Sequence, residues 1–302
     1  MIAAAEHFVA PPHWEWYIVG YFFLAGIAGG SYVLGTIMRL WGSPSDEGAA
    51  RIAFYISFPA LILCPLLLTL DLGRPSLFWH MLIDSSPGGA LVFKYWTPMS
   101  LGAWGLTIFG VFSAVSFVEA LAADRRIRIA ALDRALGVLR GSTGRAFIVV
   151  GSILGLFVAA YTGVLLSVSN QPIWSDTATL GALFLVSGLS GAAAVLLLVA
   201  RWRRGARGTV ERISRADAYF VVLEVGLIAA LMATVGIAGS FRQLVSGRWA
   251  LLWIVVGVSL AAALAAQLRL PVIRRVSTYL IPVLTLAGVW VLRTVIVFSA
   301  QS

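Results

Sequence analysis

Charged residues and metal-ligating side chains are both scarce in this sequence. Only 12% of its 302 residues are charged and 60% are hydrophobic, whereas soluble domains have about 25% and about 45–50%. The single cysteine, Cys64, cannot form a disulfide or hold an iron–sulfur cluster, and the C-x-x-C-H motif of a c-type haem is absent. A b-type haem needs histidines inside the long apolar runs. The three histidines, His7, His13 and His80, lie outside those runs. We therefore expect a membrane protein without haem or an iron–sulfur cluster of its own.

Long apolar runs are abundant. A helix needs roughly 20 apolar residues to cross a hydrocarbon core of about 30 Å. Eight segments meet this requirement: Trp16–Leu40, Ala49–Leu70, Pro98–Leu121, Arg145–Val168, Ala178–Ala200, Ala216–Ile237, Trp249–Leu268 and Ser277–Phe298. The expected fold class is all-α, a polytopic integral membrane protein with eight transmembrane helices. The first residues lack a basic region followed by a separate apolar core, so we expect no signal peptide.

The basic residues are distributed unevenly among the connections between these helices. The formal net charge is +9, with 22 Lys and Arg residues in total. Seventeen of them lie in the first, third, fifth and seventh connections, and four lie in the second and sixth. Because basic loops stay in the cytoplasm, the odd-numbered connections are predicted to be cytoplasmic and both termini to be outside. The charge is thus explained by topology, and nucleic acid is not an expected partner.

The first and fifth helices are similar to each other. A shift of 162 residues matches four identical residue pairs: Phe22 with Phe184, Gly26 with Gly188, Gly29 with Gly191 and Arg39 with Arg201. This pattern predicts a parallel repeat of two four-helix bundles. The first unit would occupy residues 1–145 with helix four extending to residue 168, and the second would occupy residues 146–302. Chance similarity between two glycine-bearing apolar helices is the alternative.

The second connection is the richest external segment, and it begins Asp71-Leu-Gly-Arg-Pro-Ser-Leu-Phe-Trp-His-Met. Asp71 and Arg74 are three residues apart, so they can form a salt-bridged turn around Gly73 and Pro75. They can equally form the floor of an externally facing polar site. His80 can exchange a proton near neutral pH, although it can also be a solvated loop residue.

Three tyrosines are expected near the outer ends of their helices. Tyr17 and Tyr21 share one face of the first helix, and Tyr161 lies in the outer part of the fourth helix. A buried tyrosine needs a partner for its hydroxyl group, so the three side chains are candidates to line one cavity. Aromatic residues at the membrane interface are the alternative.

Two charged residues lie inside predicted helices, where charge is costly in lipid and faces the protein interior or water. Glu224 lies in the cytoplasmic part of the sixth helix, and Arg293 lies in the outer part of the eighth. Glu224 can pair with the arginine-rich fifth connection or serve a function. For Arg293, a functional or bundle-fixing role is favoured.

Several stretches together resemble the polysulfide reductase membrane-subunit family (NrfD/PsrC-like). They are GIAGG from Gly26, DLGRPSLFWHML from Asp71, SLGAWGL from Ser100, YTGVLLSVSNQPIW from Tyr161, LFLVSGLSGA from Leu183 and LRTVIVFSAQ from Leu292. The resemblance covers almost the whole chain. It implies a quinone-reactive subunit of the bacterial inner membrane that carries no haem and binds menaquinone or ubiquinone. It also implies a ferredoxin-like iron–sulfur partner outside and, through that partner, a molybdopterin catalytic subunit.

The resemblance also implies a quinone site near the outer surface, between the early helices and Tyr161. A site histidine of one branch of the family falls on Tyr21, and a nearby asparagine falls close to Tyr17 or Ile18, so those two functions are not retained. The candidate catalytic residues are His80, Asp71 and Tyr161. The candidate quinone-binding residues are Tyr17, Tyr21, Tyr161, Asp71, Arg74 and His80.

The expected function is electron exchange between membrane quinone and the iron–sulfur partner. Two alternatives remain open. A secondary transporter is favoured by the four-plus-four repeat, although the helices lack strongly broken centres and a charge cluster at the midplane. A passive anchor for peripheral subunits would need no ordered outer pocket.

Overall fold

Long helices dominate the computed structural model, which describes residues 10, 12–84, 89–126, 137, 141–200, 207–267 and 271–301. The helices are α1 Trp16–Trp41, α2 Glu47–Asp71, α3 Pro98–Ala123, α4 Ser142–Ser167, α5 Leu180–Ala200, α6 Arg207–Ala238, α7 Arg248–Gln267 and α8 Pro271–Ser299. Within these described ranges, eight helical spans are long and apolar enough to cross a membrane. The all-α fold and the eight transmembrane helices are therefore confirmed.

Two helices begin more than one turn before the start that the apolar runs predict. α6 begins at Arg207 rather than Ala216. Its polar first turns contain the ion pair Glu211–Arg215. Because the two residues are four apart, this pair stabilises a helix independently of hydropathy. α8 begins at Pro271 rather than Ser277, with proline in the first helical position, where its missing N–H costs nothing.

Much of the charge that carries the topology prediction falls on residues outside the described ranges. These are Arg128, Arg134, Arg140, Arg201, Arg203, Arg204 and Arg269. The orientation of the chain in the membrane, with both termini outside, therefore stays a prediction.

α1 is the central helix of the protein. Every residue from Ile18 to Thr36 is buried except Phe23 and Leu24, and α1 packs against α2, α4, α5 and α8. The outer helices instead present apolar side chains on their free surfaces; on α7, Leu251 is 67% exposed. Because lipid is as apolar as these side chains, such faces suit contact with the bilayer.

α1 and α5 meet at residues that the proposed repeat pairs with each other. A Cβ atom on Gly26 would lie 3.1 Å from the Cα atom of Gly188, so glycine lets the two backbones approach closely. One turn away, the rings of Phe22 and Phe184 pack edge to face with centroids 5.8 Å apart. Arg293 of α8 donates hydrogen bonds to the backbone carbonyls of both phenylalanines. The division of the chain into two four-helix units stays a prediction.

Candidate functional site

The ends of α1, α2, α3 and α4 enclose a cavity of about 230 Å³ together with the connection that follows α2. Three of the candidate site residues line it, namely Tyr21, Asp71 and Tyr161. Most of the remaining wall is apolar, with side chains that include Ile18, Leu68, Phe78, Met99, Leu106 and Leu165. The cavity therefore combines an apolar interior with a few polar groups, as small-molecule sites do.

Tyr161 is held in a fixed orientation between α3 and α4. Its hydroxyl group donates a hydrogen bond of 2.5 Å to the carbonyl oxygen of Pro98, the first residue of α3. Its ring stacks on Phe157 with centroids 5.6 Å apart, and the other side of the ring lies over Gly102. Because the hydroxyl proton is already donated, the Tyr161 oxygen is available mainly as an acceptor.

Tyr21 reaches the cavity from α1 and is only 3% exposed. Its hydroxyl group makes no hydrogen bond to another described residue, and its oxygen is not one of the fully buried polar atoms that lack a partner. The oxygen is therefore open to the cavity that Tyr21 lines. An unpaired hydroxyl on the wall of a cavity therefore indicates a place where a ligand can accept a hydrogen bond.

Asp71 is the last residue of α2, and its half-buried carboxylate lies beside Glu15, just before α1 begins. The carboxylate thus lies where the cavity adjoins the surface. The predicted ion pair with Arg74 does not form in the described structure, because the backbone leaves α2 in an extended conformation at Leu72.

The other three candidate residues do not line this cavity. Tyr17 is 39% exposed on the outside of α1. Arg74 is exposed just before the 3₁₀ turn Pro75–Met81. His80 lies in that turn, half-buried, with its ring 3.9 Å from that of Trp79. Phe78 and Met81 of the same turn do line the cavity, so the turn contributes apolar walls and holds the imidazole nearby.

Trp14 also lines the cavity, although it is not among the candidate site residues. Its ring stacks on that of the fully buried Trp174 at a centroid distance of 5.0 Å. Its backbone N–H donates a 2.9 Å hydrogen bond to Oε1 of Gln301. The contact joins the two ends of the chain, and no local sequence pattern signals a pairing over that separation.

The described residues contain no group of three or more His, Cys, Asp and Glu side chains placed to hold a metal ion. The side chains that line the cavity include two phenol groups that can form hydrogen bonds, those of Tyr21 and Tyr161, and one carboxyl group that can exchange a proton, that of Asp71.

Comparison with known proteins finds relatives of nearly equal length. The chain is 26% identical over 313 residues to "Protein NrfD" of Escherichia coli (strain K12), covering 95% of both proteins. It is 27% identical over 312 residues to the C chain of polysulfide reductase from Wolinella succinogenes, covering 96% of this sequence and 94% of that protein. A shorter match, 30% identical over 81 residues, is to the C subunit of selenate reductase from Mesobacillus selenatarsenatis, covering 27% of this sequence and 19% of that protein.

The model of one protein family matches the chain almost from end to end. That family is described as "Polysulphide reductase, NrfD", and the match extends over residues 6–302. It includes all eight membrane-spanning helices and every residue that lines the cavity. The chain therefore belongs to the NrfD polysulphide reductase family.

Proposed function

We propose that this chain is the quinone-reactive membrane subunit of a reductase complex, and that quinone binds in the cavity lined by Tyr21, Asp71 and Tyr161. The observation that carries the proposal is the unpaired Tyr21 hydroxyl group in a cavity whose walls are otherwise mostly apolar. A quinone head group is a flat apolar ring with carbonyl oxygens at its two ends. Its apolar ring and polar oxygens match the polarity of such a cavity.

The two tyrosines suit the two redox forms of this substrate. The free hydroxyl group of Tyr21 can donate a hydrogen bond to a quinone carbonyl oxygen. The Tyr161 oxygen can accept a hydrogen bond from a quinol hydroxyl while its own O–H group goes on donating to the Pro98 carbonyl. Both tyrosines therefore bind and orient the substrate, one mainly as a donor and the other mainly as an acceptor.

Interconversion of quinone and quinol moves two electrons and two protons, so the site also needs a proton route to water. Asp71 lines the cavity near the end of α2 and can pass protons between the cavity and the outer surface. His80 follows in the adjoining turn and serves as a second exchange group in this proposal.

The electrons must come from or go to another subunit, because a protein with one cysteine cannot hold a cluster of its own. Two of the relatives are named as components of polysulfide reductase and selenate reductase, and these names describe parts of larger enzymes. We propose a ferredoxin-like iron–sulfur partner on the cavity side of a bacterial inner membrane, with a molybdopterin catalytic subunit beyond it. In this orientation both termini are periplasmic.

Two hydroxyl deletions test the proposed site. Tyr21→Phe and Tyr161→Phe should each lower quinone affinity or quinol turnover about 5- to 150-fold, because losing one ligand hydrogen bond costs about 1–3 kcal/mol. The measurement is quinone binding to the purified subunit, together with turnover of the assembled complex at matched subunit stoichiometry. Tyr219→Phe is the matched control, since Tyr219 lies on α6 with 67% of its surface exposed.

The outcomes separate binding from assembly. Wild-type affinity and turnover in both cavity variants would contradict the placement of the quinone. Loss of the iron–sulfur partner from the Tyr161→Phe complex, with quinone affinity retained by the isolated subunit, would instead give Tyr161 a structural role.

A further inference from the structure

The exposed residues of the cavity wall all lie on one side of the bundle, among the residues that the structure describes. They belong to α2, to α3 or to the 3₁₀ turn between these helices, and they are Pro65, Phe78, Met81, Met99 and Thr107. The wall residues on α1 and α4, including Tyr21 and Tyr161, are buried or half-buried. The cavity therefore opens on the side where α2 and α3 lie next to each other.

The other helix interfaces around the cavity are closely packed at glycines. Gly20 lies between α1 and α2, Gly29 between α1 and α4, and Gly105 between α3 and α4. A Cβ atom at any of these three positions would come within 3.2 Å of an atom of the facing helix. Because glycine lets these helices approach closely, the three interfaces leave little room for a ligand to pass.

α2 and α3 are bonded to each other far from the cavity. The hydroxyl groups of Ser57 and Ser113 form a hydrogen bond of 3.0 Å, and both side chains are fully buried. Farther along, the Tyr55 hydroxyl group donates a hydrogen bond of 2.8 Å to the carbonyl oxygen of Ala120. These contacts close the interface of the two helices in the half that does not line the cavity.

The half of this interface that does line the cavity is built differently. Residues 65–71 of α2 and 98–107 of α3 share no hydrogen bond or ion pair in the described structure. Pro65 is six residues from the end of α2 and Thr107 is nine from the start of α3, or about 9 Å and about 14 Å along the helices. Both positions fall within membrane-spanning segments, so the gap between them faces lipid.

The edge of this gap presents few free polar groups. The Thr107 hydroxyl group donates a hydrogen bond of 2.8 Å to the carbonyl oxygen of Ala103 on its own helix, so it needs no partner in the gap. Pro65 has an apolar ring and no backbone N–H group. The cavity itself, at about 230 Å³, is smaller than the roughly 300–1,000 Å³ of typical ligand sites. It can hold a head group, whereas a long chain must leave it.

We propose that the gap between α2 and α3 is the opening through which the isoprenoid chain of the quinone passes from the cavity into lipid. Pro65, Ala103 and Thr107 form the wall of this opening, and they favour substrates whose polar head carries a slender apolar chain. The inference rests on the proposed function, because it places the chain of the ligand whose head group binds beside Tyr21 and Tyr161. It also predicts that the substrate enters from the membrane and not from water.

A bulky side chain in the opening tests the proposal. Thr107→Trp should weaken binding of a long-chain quinone relative to its analogue with a single isoprene unit by about tenfold or more, the scale on which overpacking acts. The measurement is the ratio of the two Kd values for the full-length purified subunit in lipid nanodiscs, with ubiquinones and with menaquinones. Ile108→Trp is the matched control, because Ile108 is 42% exposed on the same helix and does not line the cavity.

The outcomes separate the opening from the head-group site. A ratio in Thr107→Trp equal to that of the wild type, or to that of Ile108→Trp, would overturn the opening and leave the head-group site in place. Failure of the wild-type protein to bind either form of either quinone would instead count against the proposed function.

A labelled chain gives a second test that needs no folded variant. A quinone with a photoreactive diazirine on its isoprenoid chain should label residues 62–68 of α2 and 103–111 of α3 in the wild-type protein. An excess of unmodified quinone should suppress this labelling. Suppressible labelling of α1 or α4 without labelling of those two segments would show that the chain leaves the cavity elsewhere.

Discussion

Tyr161 keeps its place in the cavity because α3 has a glycine against the tyrosine ring. A Cβ atom on Gly102 would overlap three atoms of the Tyr161 side chain, including the hydroxyl oxygen. The same contact leaves the hydroxyl group within reach of the Pro98 carbonyl. The missing side chain at Gly102 therefore determines where a hydrogen-bonding group stands in the cavity.

We expect Gly102→Ala to move the Tyr161 ring and to break its bond to Pro98. Overpacking of this kind typically costs about 1–3 kcal/mol, so the unfolding temperature in detergent should fall together with quinone affinity. Gly110→Ala on the same helix is the control, because its Cβ atom would meet nothing within 4 Å. Equal behaviour of the two variants would contradict this account of Tyr161.

Sequence reasoning identified the residues of the cavity only in part. Tyr21, Asp71 and Tyr161 could be selected because each lies near a predicted outer helix end, where polar aromatic and acidic side chains reach water. The spacing of four residues predicts that Tyr17 and Tyr21 share a helical face. In the structure the side chain of Tyr17 is exposed, whereas that of Tyr21 is buried. The contribution of Trp14 depends on stacking with Trp174 and a bond to Gln301, which are contacts that only the folded protein brings together.

At the scale of whole elements, a buried acid joins the beginnings of α2 and α6. Asp46, in the short turn before α2, accepts a 2.5 Å hydrogen bond from the Thr209 hydroxyl group and lies 2.6 Å from Nη1 of Arg212. Its side chain is only 2% exposed, while that of Arg212 is 51% exposed. The Thr209 bond is thus the more buried of the two contacts.

Thr209→Val should destabilise the junction of α2 and α6, because it leaves a buried carboxylate oxygen without its donor. The expected loss is about 1–3 kcal/mol of unfolding free energy, measured by reversible unfolding in detergent. Thr234→Val is the control, since that hydroxyl group bonds only to carbonyls of its own helix. A loss no greater than that of the control would show that the Arg212 contact is sufficient to hold Asp46.

The apolar runs predict the existence of the helices better than they predict where each helix begins. Apolar runs of spanning length locate all eight helices, because burial in lipid or in the bundle requires such runs. The start of α6 was predicted at Ala216 because the preceding residues are polar. They are helical from Arg207, where the Thr209 and Arg212 contacts to Asp46 supply tertiary stabilisation that hydropathy does not register.

At the scale of the whole molecule, α1 connects the cavity to α5 and α8. One part of it presents Tyr21 to the cavity, and the adjacent carbonyl of Phe22 is held by Arg293 of α8. The same helix packs on α5 through Gly26 and Gly188. A displacement of α1 at the cavity would therefore disturb its contacts with α5 and α8.

Photoaffinity labelling with an azidoquinone is the most direct test of the proposed quinone site in the cavity. After illumination of the assembled complex, mass spectrometry should find the label on the cavity walls, within residues 65–82 and 98–107 or beside Tyr21 and Tyr161. Excess unmodified quinone should compete with it, and Tyr21→Phe should weaken it. Competed labelling confined to α5–α8, with none on the cavity walls, would contradict the account.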